Sequence, residues 1–108
     1  MQAFTIERRD DPDWTVLELA GEFDLAAEPV LQQELGSAQA SSTLVLDLSR
    51  VTFMDSTGLR LLLEADARVR ANGNRCIVVR GLGSVHRVIE EGLLASRLEV
   101  VDRMPGSA

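Results

Sequence analysis

Lysine is absent from this chain. All 11 basic residues are arginine, set against 17 acidic ones, for a formal net charge of −6. No basic stripe or patch is visible, which excludes the electrostatic footprint of a direct nucleic-acid binder. Acidity favours protein or cationic partners, and it also keeps a small protein soluble. The arginine bias reads most simply as genomic composition rather than as arginine-dependent recognition. Cysteine and histidine are nearly absent too, with Cys76 and His86 the sole examples. One cysteine cannot form an internal disulfide, and in the run Cys76-Ile77-Val78-Val79 it reads as a small buried hydrophobe. One cysteine and one histidine cannot assemble a metal site from the usual soft ligands. Long apolar runs are missing as well. None approaches the roughly 18 residues of a membrane span, and Met1 to Arg9 contain no uninterrupted apolar core for a signal peptide. A cytoplasmic protein with no membrane insertion, no metal and no cofactor is expected.

What is present is ordinary globular composition, 45% hydrophobic and 26% charged. A chain of 108 residues is long enough for a single two-layer core and too short for a second. One domain is expected over 1–103, with a tail at 104–108 that frays. Phe4, Ile6 and Arg8 alternate with Thr5, Glu7 and Arg9, and a second alternation runs from Trp14 to Ala20. Asp10-Asp11-Pro12-Asp13 between them is turn chemistry, so the two runs read as an N-terminal hairpin. Gly21 to Asp24 end the second strand. A short helix is expected over 27–35, with Pro29 in its first turn and Gly36 as its stop. After a polar loop, Leu44 to Leu48 read as a central strand buried on both faces.

From Thr57 to Ala71 the period becomes helical. Leu59, Leu62, Leu63 and Val69 fall on or near one side, Arg60, Glu64 and Arg68 lie four apart on the other, and Asp66 interrupts the apolar side. Asn72-Gly73-Asn74 ends this helix, and Cys76 to Val79 form another strand. The result is a central βαβ unit with the usual right-handed crossover. Ser84 is placed to cap a third helix that ends before Gly92, and Leu98 to Val101 read as a short strand or an extended edge. The fold class is α/β: a small mixed β-sheet with an N-terminal hairpin, a central βαβ unit and helices packed on it.

The most telling junction is Phe53-Met54-Asp55-Ser56-Thr57-Gly58, where an apolar run drops into two hydroxyls at the start of a helix. Asp55 is a natural N-cap, its carboxylate accepting a first-turn N–H and interacting favourably with the helix dipole. Ser56, Thr57 and Gly58 then occupy the first turn, where a phosphate on Ser56 would meet backbone donors rather than strain the fold. Gly58 removes a side chain, so that another surface can approach the backbone. Asp-Ser-Thr at a helix start is also plain capping chemistry.

Catalysis fits poorly. A serine nucleophile needs a base, and His86 belongs to a different helix. The Gly-x-Ser-x-Gly elbow is missing around Ser56. Gly81-Leu82-Gly83 suggests phosphate cradling by a nucleotide sensor, yet it lacks both a Walker lysine and the third glycine of a dinucleotide fingerprint. The chain does not read as an enzyme.

The segment from Val45 to Leu59, centred on Met54-Asp55-Ser56-Thr57-Gly58, closely resembles the signature of STAS domains. It is most similar to the bacterial anti-sigma factor antagonists. Leu19-Ala20-Gly21-Glu22-Phe23-Asp24 resembles the family's second motif, and element order and length match over nearly all 108 residues. The resemblance implies partner switching. The unphosphorylated protein binds an anti-sigma factor that is also a GHKL-type serine kinase, and so frees the sigma factor. The kinase uses ATP to phosphorylate the serine after the motif's aspartate, here Ser56, and a phosphoserine phosphatase reverses the step. Asp24 and Asp55 match acidic positions beside the phosphorylation site, and Thr57 and Gly58 complete the surface that meets the kinase. Relatives often carry a small residue where this chain has Arg60, a cation that could pair with an acidic partner or with the phosphate. The alternative reading is a STAS adaptor or scaffold module of a transporter or stress-signalling assembly.

Overall fold

The computed structural model describes residues 3–37, 43–81, 83–91 and 97–104. Five strands form one sheet in the order β1-β2-β3-β4-β5: Thr5–Asp10, Trp14–Phe23, Thr43–Met54, Arg75–Val79 and Val100–Val101. The first two form the expected hairpin, antiparallel, with Thr5 opposite Ala20 and Asp10 opposite Thr15. All later pairings are parallel. The helices that make the crossovers are α1 (Glu28–Ser37), α2 (Ser56–Ala71) and α3 (Gly83–Glu91), and a single 3-10 turn, Leu25–Ala27, precedes α1. Each new parallel strand is added on the same side of its predecessor. Crossovers of one hand must then put every helix on one face, and the main core shows this. Leu31 and Leu35 of α1, Leu61, Leu62 and Ala65 of α2, and Val85 and Ile89 of α3 all pack on the same sheet residues, among them Leu17, Leu19, Leu46, Leu48 and Val78. The opposite face carries a smaller cluster of Val16, Val45, Ile77 and Val79, with Trp14, Val101 and Met104 against it. This two-sided burial explains the near-continuous apolar runs of β3 and β4.

Several boundaries differ from the expectation, and the reasons are local. β2 continues through Gly21 to Phe23, and β3 runs on past Leu48 to Met54, because the two strands keep pairing past the point where simple alternation fails. Two register shifts make this possible: between Glu18 and Phe23 on β2, β3 inserts two extra residues, taking Asp47 to Met54. Such bulges are uncommon in a parallel pair, and each turns two consecutive side chains outward. Leu48, Val51 and Met54 remain in the core, while Ser49 with Arg50 and Thr52 with Phe53 are exposed. Gly36 lies inside α1, which ends at Ser37, and Ser84 sits one residue inside α3, which starts at Gly83. Of the segment 98–101 only Val100 and Val101 form a strand, β5, with Val100 level with Val78. Leu82, Gly92 and residues 105–108 of the expected tail lie outside the described residues, while Met104, the first residue of that tail, packs against the smaller cluster.

Asp66, which interrupts the apolar pattern, is buried on the core side of α2. The Nε of Arg70 donates to both of its carboxylate oxygens at 3.0 and 3.1 Å. The neighbouring Cys76 thiol is pushed up to about 12, first by burial and then by the Asp66 carboxylate. A thiol so placed stays protonated and behaves as the small hydrophobe its sequence context suggests.

Gly21 holds the end of β2 in place. Its φ of +89° suits glycine, and a Cβ there would collide with the carbonyl oxygen of Ala3. Phe4, the next residue, stacks on Phe23 with ring centroids 5.3 Å apart. Gly21→Ala is therefore expected to destabilise the fold by more than about 2 kcal/mol. Urea unfolding monitored at Trp14 measures this, and a loss below about 0.5 kcal/mol would contradict the strain argument.

Candidate functional site: two capped helix starts at the C-terminal edge of the sheet

Both sequence motifs end at the same place. In the parallel register Phe23 is level with Met54, so Asp24 and Asp55 each come directly after one of two strands spaced about 4.8 Å apart. The two aspartates adopt nearly the same extended backbone, φ −128°, ψ −165° for Asp24 and φ −117°, ψ −168° for Asp55. Each caps the helical segment that begins at the next residue. The carboxylate of Asp24 accepts from the Ala26 N–H at 3.0 Å, and that of Asp55 accepts from the Gly58 N–H at 3.1 Å. The Asp55 carbonyl also accepts from the Leu59 N–H at 3.1 Å, the first intrahelical bond of α2. Asp24 is thus a cap as well as the end of its strand.

Ser56, the first residue of α2, is exposed, Thr57 is half-buried and Gly58 is buried. The surface that approaches Gly58 belongs to the chain itself: a Cβ there would lie 2.5 Å from Met54 Cγ and 2.6 Å from the Phe23 carbonyl oxygen. Gly58 is what lets the start of α2 rest against the ends of β2 and β3. With the backbone held this way, the Ser56 hydroxyl stands outside the packing that fixes it. Arg60, one turn on, is exposed, and its Nη1 donates to Glu64 Oε2 at 2.6 Å. Arg68, the third residue of that row, donates to Gln32 Oε1 at 2.7 Å and ties α2 to α1.

Two residues of this edge were not singled out by sequence reasoning. Leu25, directly after Asp24, is 60% exposed, and Phe53, two residues before Asp55, is 43% exposed. Leu25 had a weak signal, an apolar side chain inside a polar turn. Phe53 had none, because simple alternation does not reveal the bulge that turns it outward.

His86 lies elsewhere. It lines a cleft of about 360 Å³ with Arg80, Gly81, Gly83 and Asp102, at the ends of β4 and β5. Arg80 there is paired with Glu90 at 2.9 Å and with Asp102. The space beside Gly81 is filled by the Leu48 carbonyl and Val85, which accounts for that glycine without a bound nucleotide. Among the described residues no group of three or more His, Cys, Asp or Glu is arranged to hold a metal.

Comparison with known proteins places the chain as a whole. The family model described as "Mlab, STAS domain" matches residues 6–100. The chain belongs to the STAS domain family. The anti-sigma-F factor antagonist RsfB of Mycobacterium tuberculosis is 31% identical to this STAS domain over 81 residues, which cover 73% of this chain and 66% of RsfB. Among solved structures, an anti-sigma factor antagonist from Mycobacterium paratuberculosis superposes with a TM-score of 0.81 at 27% identity, over 94% of this chain and 88% of that one. The unphosphorylated form of the anti-sigma factor antagonist SpoIIAA gives a TM-score of 0.67 at 25% identity, over 94% and 90%. The anti-sigma factor antagonists among these relatives are regulatory binding proteins rather than enzymes.

The cap can be tested on its own. Asp55→Ala removes the bond to the Gly58 N–H and is expected to cost about 1 kcal/mol, while Asp55→Asn, which keeps an acceptor, costs less. Thermal unfolding of the two variants distinguishes them; equal losses would mean that the carboxylate charge, not the bond, carries the effect.

Proposed function

We propose that this STAS domain is an anti-sigma factor antagonist, switched by phosphorylation of Ser56. The observation that carries the reading is an exposed hydroxyl on the first turn of a capped helix, beside the aligned caps Asp24 and Asp55. In the unphosphorylated state the edge formed by Asp24, Asp55, Ser56, Thr57, Gly58 and Arg60 binds an anti-sigma factor that is also a GHKL-type serine kinase, and the sigma factor is released. Leu25 and Phe53 supply the apolar contact that such an interface needs at its centre, and the carboxylates select a cationic counterpart. The kinase transfers a phosphoryl group from ATP to the Ser56 hydroxyl, and a phosphoserine phosphatase restores it. The names of RsfB and SpoIIAA, and the existence of SpoIIAA in a form specified as unphosphorylated, support this role. No helix among the described residues is long and apolar enough to cross a membrane, which suits a switch that acts in the cytoplasm.

The switch needs no backbone movement. A phosphate adds roughly −1.5 to −2 charges and three acceptor oxygens. Placed beside Asp24 and Asp55 it enlarges an acidic cluster that the interface must desolvate, and like charges repel. A penalty of about 3 kcal/mol weakens binding roughly 100-fold.

Incubation with the cognate kinase and ATP should add one phosphate, located on Ser56 by peptide mass spectrometry, and Ser56→Ala should abolish it. Label found on another residue would sink the assignment. Ser56→Asp should weaken kinase binding with little change in melting temperature; a large loss of stability would make Ser56 a structural residue. Phe53→Ser should weaken the same complex at least about tenfold by titration calorimetry, and unchanged affinity would remove Phe53 from the interface. Recovery of transporter subunits in place of a kinase, in a pull-down from the source cells, would support the adaptor reading instead.

A further inference from the structure

We propose that Arg60 is an exchange residue: when Ser56 carries a phosphate, the Arg60 guanidinium leaves Glu64 and pairs with that phosphate. This rests on the reading of Ser56 as a phosphorylation site.

Ser56, Arg60 and Glu64 are spaced four apart along α2 and share one stripe of its surface. Helical side chains lean towards the N-terminus, so a long side chain at position 60 lies naturally over the turn that holds Ser56. In the unmodified protein position 56 offers only a neutral hydroxyl, and the Asp55 carboxylate before it is engaged as the cap on the Gly58 N–H. Arg60 turns the other way, to Glu64 at 2.6 Å, with the two side chains 51% and 44% exposed. An ion pair this open to water is weak. Its order is also the less favourable one, base before acid along the helix, whereas phosphoserine at 56 followed by arginine at 60 has the acid first.

The competition then has a clear winner. A phosphate brings close to twice the charge of the Glu64 carboxylate and accepts a guanidinium in a two-pronged fork. It sits at the positive end of the helix dipole, where an anion is favoured, while Glu64 lies beyond the first turn. The other charged groups at this edge act in the same sense. Asp55 beneath the serine, Asp24 at the end of β2 and Glu28 in the first turn of α1 are all acidic. They repel an unpaired phosphate and so favour drawing a cation to it. The arginines Arg8, Arg9, Arg70, Arg75 and Arg80 are engaged elsewhere with acidic partners. Phosphorylation would thus do two things. It covers the new phosphate with Arg60 and leaves the Glu64 carboxylate bare one turn away. The partner meets a surface changed at three positions rather than one.

The test uses the full chain with phosphoserine placed at position 56 by genetic encoding, so that no kinase is required. The second ionisation of the phosphate is followed by phosphorus NMR in the parent chain, in Arg60→Gln and in Arg60→Lys. An adjacent guanidinium favours the dianion, so Arg60→Gln should raise this pKa by at least about 0.3 unit, and Arg60→Lys should raise it less. In parallel, Glu64→Gln should shift the Arg60 Nε–H resonance in the unmodified protein and leave it nearly unchanged in the phosphorylated one. Equal phosphate pKa values in the parent chain and Arg60→Gln, or equal sensitivity of Arg60 to Glu64→Gln in both states, would overturn the exchange. Those results would leave the kinase reading untouched, since that reading is tested separately by whether a kinase places its label on Ser56.

Discussion

The parallel pairing of β2 with β3 is the constraint on which the rest of this structure depends. It brings Phe23 level with Met54 and so places two aspartates from distant parts of the chain, Asp24 and Asp55, side by side at one edge of the sheet. Each aspartate then starts a helical segment by the same means, a carboxylate accepting a first-turn N–H. Had β3 run past β2 without its two extra residues, Met54 would stand beyond the end of β2 and the two caps would no longer align.

Those extra residues have a second effect. A strand that alternates strictly can present either its core side or its outer side at a given position. The bulges let β3 keep Leu48, Val51 and Met54 inward over a span where alternation alone would turn one of them out. The outward side receives Phe53, close to the edge that carries Ser56, and the inward side receives Met54, which with Phe23 forms the seat of Gly58. Rigidity and exposure are separated at this edge. The backbone around Ser56 is fixed by Gly58 and Asp55, and the hydroxyl takes no part in fixing it. A charge can therefore be added there at small cost to the fold, which is the property a protein-borne switch requires.

Much of this was legible in the chain. The hairpin, the βαβ unit and the three helices follow from hydrophobic period and turn residues, because core burial rewards those periods directly. Asp55 as a cap and Ser56 as the exposed hydroxyl follow from residue type and position at a helix start. The boundaries were less legible. β2 and β3 extend past their clean patterns because bulged pairing keeps them bonded, and Gly36 is retained inside α1 instead of ending it. Asp66, an apparent flaw in the apolar side of α2, is satisfied by Arg70 on its own helix, and only packing shows that it is buried.

The sequence by itself determined the class of fold, the capped start of α2 and the residue types at the candidate site, since these depend on neighbours a few positions apart. The tertiary structure alone decided that Asp24 stands beside Asp55, that Phe53 faces outward, that Gly58 is filled from within and that Arg60 turns to Glu64. The first three depend on strand register, which links distant segments and leaves no local periodicity to read. The last is a choice between a neutral hydroxyl and a carboxylate one turn to either side, and only side-chain geometry shows which of them holds the guanidinium.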